Sequence, residues 1–165
     1  KILVKQGYLA LRYHAGLTPE ERQSNQDYFV KGQVQIIVAT NAFGMGIDKA
    51  DVRFVVHYNM PKDIESYYQE AGRAGRDGKQ AECLLLYDKS DIAVNIYLIG
   101  HDQPDLEWKD KELKLLDKMI VYCNTSGCLR KYLLEYFGER VASSCNNCGN
   151  CSQAKNATWR RFLKL

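Results

Sequence analysis

Two clusters of side chains in this chain could do chemistry. The first is Gln69-Glu-Ala-Gly-Arg-Ala-Gly-Arg76, in which Arg73 and Arg76 lie three residues apart, each behind a glycine. That spacing is almost one helical turn, so both guanidinium groups can reach one place. The glycines let another surface approach the backbone. A planar, permanently charged fork in such a setting suits a phosphate group. Taken alone, the same stretch also reads as a solvated loop. The second cluster is Cys145-x-x-Cys148-x-x-Cys151, with Asn146, Asn147, Gly149 and Asn150 between the thiols. Small turn formers of this kind let a backbone wrap an ion. Tetrahedral zinc needs one more ligand. Cys128, at the start of an aromatic helix, is the first candidate and Cys123 the second. A closed four-thiolate site leaves no open position for substrate, so its zinc is structural. A redox Cys-x-x-Cys pair belongs at a strand-to-helix turn rather than in an Asn-rich loop. An iron–sulfur cluster is the minor alternative.

The bulk properties leave both chemistries open. The chain has 165 residues, enough for one good core and an appendage. Apolar content of 45% and charged content of 26% are those of an ordinary globular protein. A net charge of +3 permits an anionic partner without demanding one. No apolar run approaches a membrane span, which argues against a helical membrane protein. The start, Lys1-Ile-Leu-Val-Lys-Gln-Gly7, lacks a cleavage pattern and an initiating Met, so it reads as the interior of a longer protein. Six cysteines without a secretion signal point to metal or free thiol rather than disulfide.

The elements that must position these clusters fall into two regions. In the first, Thr18-Pro19-Glu20-Glu21 supplies an N-cap, a proline at the first helical position and a capping-box Glu, so a helix should follow through about Val30. Val34–Thr40, Arg53–Tyr58 and Ala81–Tyr87 are short, β-branched or apolar runs that read as buried parallel strands. Asp63 can cap a helix over Ile64–Ala71. Strands alternating with helices argue an α/β layer, in which ligands sit at the carboxyl ends of the strands. Thr40 and the loop beyond it are therefore well placed for function. In the second region a helix is expected over Ile92–Leu98, and Pro104-Asp105 can open another. Leu113, Leu116 and Ile120 form one core stripe. Leu129, Tyr132, Leu133, Tyr136 and Phe137 form a second, closed by Gly138 at a C-cap. Helices this small need a staple, and the cysteines offer one.

Three segments then align with a known pattern. Tyr13-His-Ala-Gly-Leu17 precedes the capped helix, Val38-Ala-Thr-Asn-Ala-Phe-Gly-Met-Gly-Ile-Asp48 follows the first strand, and the arginine segment follows the helix after Asn59-Met-Pro61. Their order and spacing resemble the second RecA-like lobe of superfamily 2 helicases. With one cysteine and then C-x-x-C-x-x-C behind them, they resemble the RecQ family of DNA helicases, from about Leu11 to Ser152. The resemblance implies an α/β fold, a RecA-like parallel sheet flanked by helices over residues 1–90. A helical four-cysteine zinc subdomain over 91–153 and a tail over 154–165 complete the division. It implies an ATP-driven motor that unwinds duplex DNA with 3′→5′ polarity, with ATP and Mg²⁺ held between this lobe and an N-terminal RecA-like lobe of the same chain. Arg76 matches the arginine finger, worth about 10³–10⁵ in rate in other nucleotide hydrolases. Arg73 matches its partner and Gln69 the opening glutamine of the motif. Thr40, Gly44 and Gly46 match the motif linking the nucleotide cleft to the DNA backbone, and Asp48 its acidic end, with Gly46 and Asp48 facing the nucleotide side. Asp48 reads equally well as a turn residue. His14 stands as a DNA contact or as a satisfied structural histidine. Cys128, Cys145, Cys148 and Cys151 match the family's zinc ligands, and Cys123 does not. The implied partners are single-stranded DNA and duplex junctions, and the implied setting is intracellular, at the nucleoid or in the nucleus.

The departures are specific. There is no G-x-x-x-x-G-K-[ST] phosphate loop and no Asp-Glu box for magnesium. The strand usually found before the first helix is not read at the amino end. This chain alone should not hydrolyse ATP. An RNA helicase lobe of the same superfamily, and a non-enzymatic zinc-stabilised nucleic-acid-binding module, are the competing readings.

Overall fold

The structure is a computed structural model that describes residues 1–40, 49–102, 105–141 and 144–152. Gly44, Gly46, Asp48 and the 154–165 tail lie outside the described residues. The elements run α1 (Ile2–Lys5), β1 (Ala10–Tyr13), α2 (Pro19–Val30), β2 (Ile36–Ala39), β3 (Phe54–His57), α3 (Ile64–Ala71), β4 (Glu82–Leu85), α4 (Ser90–Asp102), α5 (Leu106–Asn124) and α6 (Leu129–Tyr136). The chain divides into two compact units, residues 1–55 with 69–83, and residues 56–68 with 84–165. Among the described residues, no helix is long and apolar enough to cross a membrane.

In the first unit the helix start read from the sequence is built as a reciprocal cap. The Glu21 N–H donates to Thr18 Oγ1 at 3.2 Å, and the Thr18 N–H donates to Glu21 Oε2 at 3.1 Å. Two orphan amides at the start of α2 are satisfied at once, with Pro19 pre-set for the helix. The helix packs on β1. Strand β1 pairs in parallel with β2, with Ala10 opposite Ile36 and Tyr13 opposite Ala39. This corrects the reading of the amino end: a strand does precede the capped helix. It is only four residues long, Ala-Leu-Arg-Tyr, too short for a period to show. Strands β3 and β4 are hydrogen-bonded neighbours. The Glu82 N–H donates to Arg53 O and the Leu86 N–H to His57 O, a four-residue advance on both strands that marks a parallel pair.

The strands are not buried as their composition suggests. Val38 is 55%, Phe54 49% and Val56 48% exposed. A parallel strand is dry only where helices cover both faces of its sheet. The described residues cover these faces incompletely.

The second unit has the tighter core. Leu116 is 1% and Met119 0% exposed on α5, with Tyr122 buried beside them, and Ile64 and Tyr67 are buried on α3. The stripe differs from the one expected: Leu113 is 38% exposed, and the buried face runs Leu116, Met119, Tyr122. Rings continue the packing. Tyr67 lies 5.0 Å from His57 and 5.3 Å from Tyr122, which lies 5.7 Å from Tyr132. These tilted arrangements suit the ring quadrupoles. The buried Asp91 carboxylate accepts from Asn59 Nδ2 at 2.9 Å and from the Met60 N–H at 3.0 Å. Asn95 Nδ2 donates to Met60 O at 3.1 Å and to Asp91 O at 3.0 Å. This pins the turn that leads into α3, where Asp63 Oδ1 accepts the Ser66 N–H at 2.6 Å as the expected cap. At its far end α6 closes as read: Gly138 takes φ +87°, the left-handed conformation that ends many helices.

Candidate metal centre and arginine turn

Four thiols converge in the second unit. The Sγ atoms of Cys128, Cys145, Cys148 and Cys151 all lie within 4.8 Å of one another. Cys128 and Cys148 have their sulfurs 3.9 Å apart. Thiolates about 2.3 Å from a tetrahedral zinc stand about 3.8 Å from each other, so the donor set fits that ion. Cys123 is not in the group. Burial, and then the charge of Asp91, push its thiol up to about 12, the behaviour of an inert core cysteine.

Local folding explains the convergence. Cys128 is the N-cap of α6, and its sulfur accepts the Lys131 N–H at 3.4 Å. The 145–151 loop is tightened by Asn146, which holds φ +52°. Asparagine tolerates that left-handed geometry better than most residues. The N–H groups of Asn147 and Cys148 donate to Cys145 Sγ at 3.4 and 3.2 Å. Burial pushes the Cys145 thiol up, but these two N–H groups together with hydrogen bonds from the Cys128 and Cys148 thiols outweigh it, and the thiol lies below its ordinary value. Ser144 Oγ donates to Cys151 Sγ at 3.3 Å, and this bond leads in drawing the Cys151 thiol down to about 6. Burial raises Cys128. Two of the four sulfurs are thus biased toward the thiolate, the form that binds metal.

Asn150 is the residue that sequence reading missed. Its Nδ2 donates to Thr125 O at 2.9 Å and to Gly127 O at 2.7 Å. The loop carrying three thiols is thereby tied to the turn carrying the fourth. The sequence offered a signal, an Asn inside C-x-x-C-x-x-C, but it read only as a turn former.

The arginine segment lies in the first unit. Helix α3 ends at Ala71, so Arg73 and Arg76 sit on tight turns past the helix rather than on it. The Arg73 N–H donates to Glu70 O at 3.2 Å and the Ala74 N–H to Ala71 O at 3.1 Å. Gly75 takes φ +66°, and a Cβ there would stand 2.8 Å from Lys79 O, so no larger residue fits. Backbone bonds fix the turn: the Gly75 N–H donates to Val52 O at 2.9 Å and the Asp77 N–H to Ala50 O at 3.1 Å. Arg73 is half-buried, while Arg76 and Gln69 are exposed. Arg76 Nε donates to Gly72 O at 3.4 Å.

A family model described as helicase conserved C-terminal domain matches residues 1–78, and one described as RecQ zinc-binding matches residues 89–152. The ATP-dependent DNA helicase RecQ of Bacillus subtilis is 50% identical over 147 residues, covering 88% of this chain and 24% of the relative. The chain belongs to the RecQ helicase family. It spans about a quarter of the length of that RecQ relative. A protein of Acanthamoeba polyphaga mimivirus, described as a putative ATP-dependent RNA helicase, is 44% identical over 139 residues, 84% of this chain and 25% of the relative. Among solved structures, Saccharomyces cerevisiae Dbp5 bound to Gle1 and IP6 matches with a TM-score of 0.50 at 24% identity, covering 70% of this chain and 34% of that one. That likeness speaks for the fold, a helicase C-terminal RecA-like domain.

Within this RecQ lobe two further residues singled out in the sequence, Thr40 and His14, fall just past the carboxyl ends of the first strand pair. The Thr40 N–H donates to Tyr13 O at 3.1 Å, one step beyond the β1–β2 ladder, which brings Thr40 and His14 to neighbouring strand ends. Thr40 is exposed and His14 half-buried. The edge is where α/β sheets bind ligands.

Proposed function

We propose that this chain is the second motor lobe and zinc subdomain of an ATP-dependent 3′→5′ DNA helicase. The observation that carries the reading is one chain holding both a helicase C-terminal match and four thiols gathered to zinc-like spacing. In this reading Arg76 is the arginine finger across the nucleotide cleft, with Arg73 beside it and Gln69 opening the motif. Its charge meets negative charge that develops on the γ-phosphate, so it acts in the transition state more than in the ground state. Gly46 and Asp48 complete the nucleotide side, and ATP and Mg²⁺ bind where this lobe faces an N-terminal RecA-like lobe. Thr40, Gly44, Gly46 and His14 face the sugar–phosphate backbone of DNA, single-stranded or at duplex junctions. A hydroxyl and close backbone amides suit phosphate contacts. Cys128, Cys145, Cys148 and Cys151 hold one structural zinc, which when bound cross-links the start of α6 to the 145–151 loop. The lobe over 1–90, the zinc subdomain over 91–153 and the 154–165 tail are the working division. The setting is intracellular, and the chain by itself is without ATPase activity because it carries no phosphate loop.

An RNA helicase lobe is the second reading, favoured by the name of the mimivirus relative. The test is ATP turnover by the full-length protein with single-stranded DNA or RNA added, and unwinding of duplexes with a 3′ or a 5′ overhang. DNA stimulation with unwinding from the 3′ overhang is expected. Stimulation by RNA alone selects the second reading, and neither stimulation nor turnover leaves a binding module.

A further inference from the structure

We propose that Arg53 is a positioning residue for the arginine turn, its guanidinium holding the segment that carries Arg73 and Arg76 in working shape. The inference rests on the reading of Arg76 given above.

Arg53 spends its donors on three separate points. Nε donates to Asp51 O at 3.0 Å, Nη1 to Gln80 O at 3.1 Å, and Nη2 to Asp77 Oδ1 at 2.6 Å. Asp51 belongs to the approach to β3, whereas Asp77 and Gln80 lie on the exit of the arginine turn. One planar group therefore ties the strand's entry to the turn's far side. The same Asp77 oxygen accepts the Lys79 N–H at 3.1 Å, which closes the turn upon itself. Gly75 at φ +66° and Gly78 at φ +76° give this stretch two hinges that any loosening would use. The bonds from Gly75 to Val52 and from Asp77 to Ala50 hold the backbone. Arg53 adds the side-chain lock over them.

There is also an electrostatic consequence. Asp77 is the immediate neighbour of Arg76, and an uncommitted carboxylate there would compete for its guanidinium. The pair with Arg53 occupies that carboxylate. Lysine could not do both tasks, because a single ammonium cannot reach three acceptors set around a planar fork. Placement matters because an arginine that acts across a cleft works only at the right distance. A displacement of about 1 Å can lower a rate about 10²-fold.

The test uses the full-length protein with Arg53→Gln, Arg53→Lys and Asp77→Asn, each alone and combined with Arg76→Ala. DNA-stimulated ATP turnover, affinity for a fluorescent ATP analogue and thermal melting are measured. Turnover is expected to fall about tenfold or more in Arg53→Gln and Asp77→Asn, with nucleotide affinity within about threefold. Arg53→Lys should restore only part of the rate. On the Arg76→Ala background the same changes should add little, since both act through one group. Wild-type turnover in folded Arg53→Gln and Asp77→Asn overturns the proposal. A fully additive loss, or unfolding of all three variants, also overturns it, because Arg53 is then a clamp on the fold alone. If Arg76→Ala itself retains wild-type turnover, the reading of Arg76 has failed, whatever the Arg53 variants do.

Discussion

Replacing Asn150 by alanine should weaken zinc binding while leaving every thiol in place. The side chain makes two bonds, to Thr125 O at 2.9 Å and Gly127 O at 2.7 Å, and these set where Cys128 stands relative to the trio. A hydrogen bond contributes about 0.5–1.5 kcal/mol net, so the pair is worth about 1–3 kcal/mol. Carried into the binding equilibrium, that is about 5- to 150-fold in affinity. Gly127 is exposed and Thr125 half-buried, so water can reoccupy both carbonyls. The effect should therefore fall in the lower half of the range, about 5- to 30-fold, which agrees with the roughly 10–100-fold seen when partners that orient metal ligands are removed. Asn150→Asp should be worse than Asn150→Ala, because it turns a donor into a charged acceptor facing two carbonyl oxygens. The assay is competition for zinc between the full-length protein and a chromophoric chelator of known affinity, at fixed pH. Wild-type zinc affinity in both variants would refute the reasoning, and the Thr125–Gly127 turn would then be held by other means.

Arg76→Ala should lower DNA-stimulated ATP turnover by about 10²-fold or more and change nucleotide affinity only a few-fold, read by steady-state hydrolysis beside direct titration. Cys145→Ser and Cys128→Ser should each reduce metal content below one equivalent, measured as zinc released by a mercurial; full content in both sinks the four-thiol assignment. Met119→Ala removes a fully buried side chain and should destabilise the protein by about 2–5 kcal/mol, visible in chemical denaturation. The Asp77 carboxyl is held below the ordinary range, first by the hydrogen bond from Arg53. Its stabilising contribution is complete at neutral pH and is lost as pH falls through that lowered value. Melting temperature against pH should therefore show a shallower acid decline in Asp77→Asn than in wild type.

What could be read from the chain was the part written in neighbours. The Thr18–Glu21 cap spans three residues, the Asp63 cap three, and the Gly138 stop one turn, and each is realised as expected. The cysteine trio carried its own spacing, and Cys128 joined it. What could not be read depends on partners far along the chain. Asn150 reaches back 23 and 25 residues, and Arg53 meets Asp77 24 residues on. No local period announces either bond. Leu113 failed as a core residue because a helical stripe names a face without fixing its width, and α5 turned Met119 and Tyr122 inward instead. The short strand Ala10–Tyr13 was missed because four residues with an arginine among them show neither alternation nor a continuous apolar run. Strand burial was overstated because apolar composition records what a sheet can hide, whereas exposure records what covers it.

The division of the chain has a bearing on how the protein is made. Residues 56–68 belong with 84–165, while 69–83 return to 1–55, so the backbone leaves one unit, enters the other, goes back and leaves again. A ribosome delivering this polypeptide from the amino end releases 56–68 before any residue of its main partner segment exists. Those thirteen residues include Met60, Ile64 and Tyr67, which are apolar or aromatic and end up buried. Until α4 and α5 emerge they must wait exposed, which is where a nascent chain is open to chaperones and to misassociation. By the same logic no single cut separates the two units. A clone that stops at residue 55 lacks a segment of the first unit, and one that starts at 84 lacks a segment of the second. Dissection of this protein into independent pieces calls for circular permutation or a linker in place of the returning segment, rather than truncation.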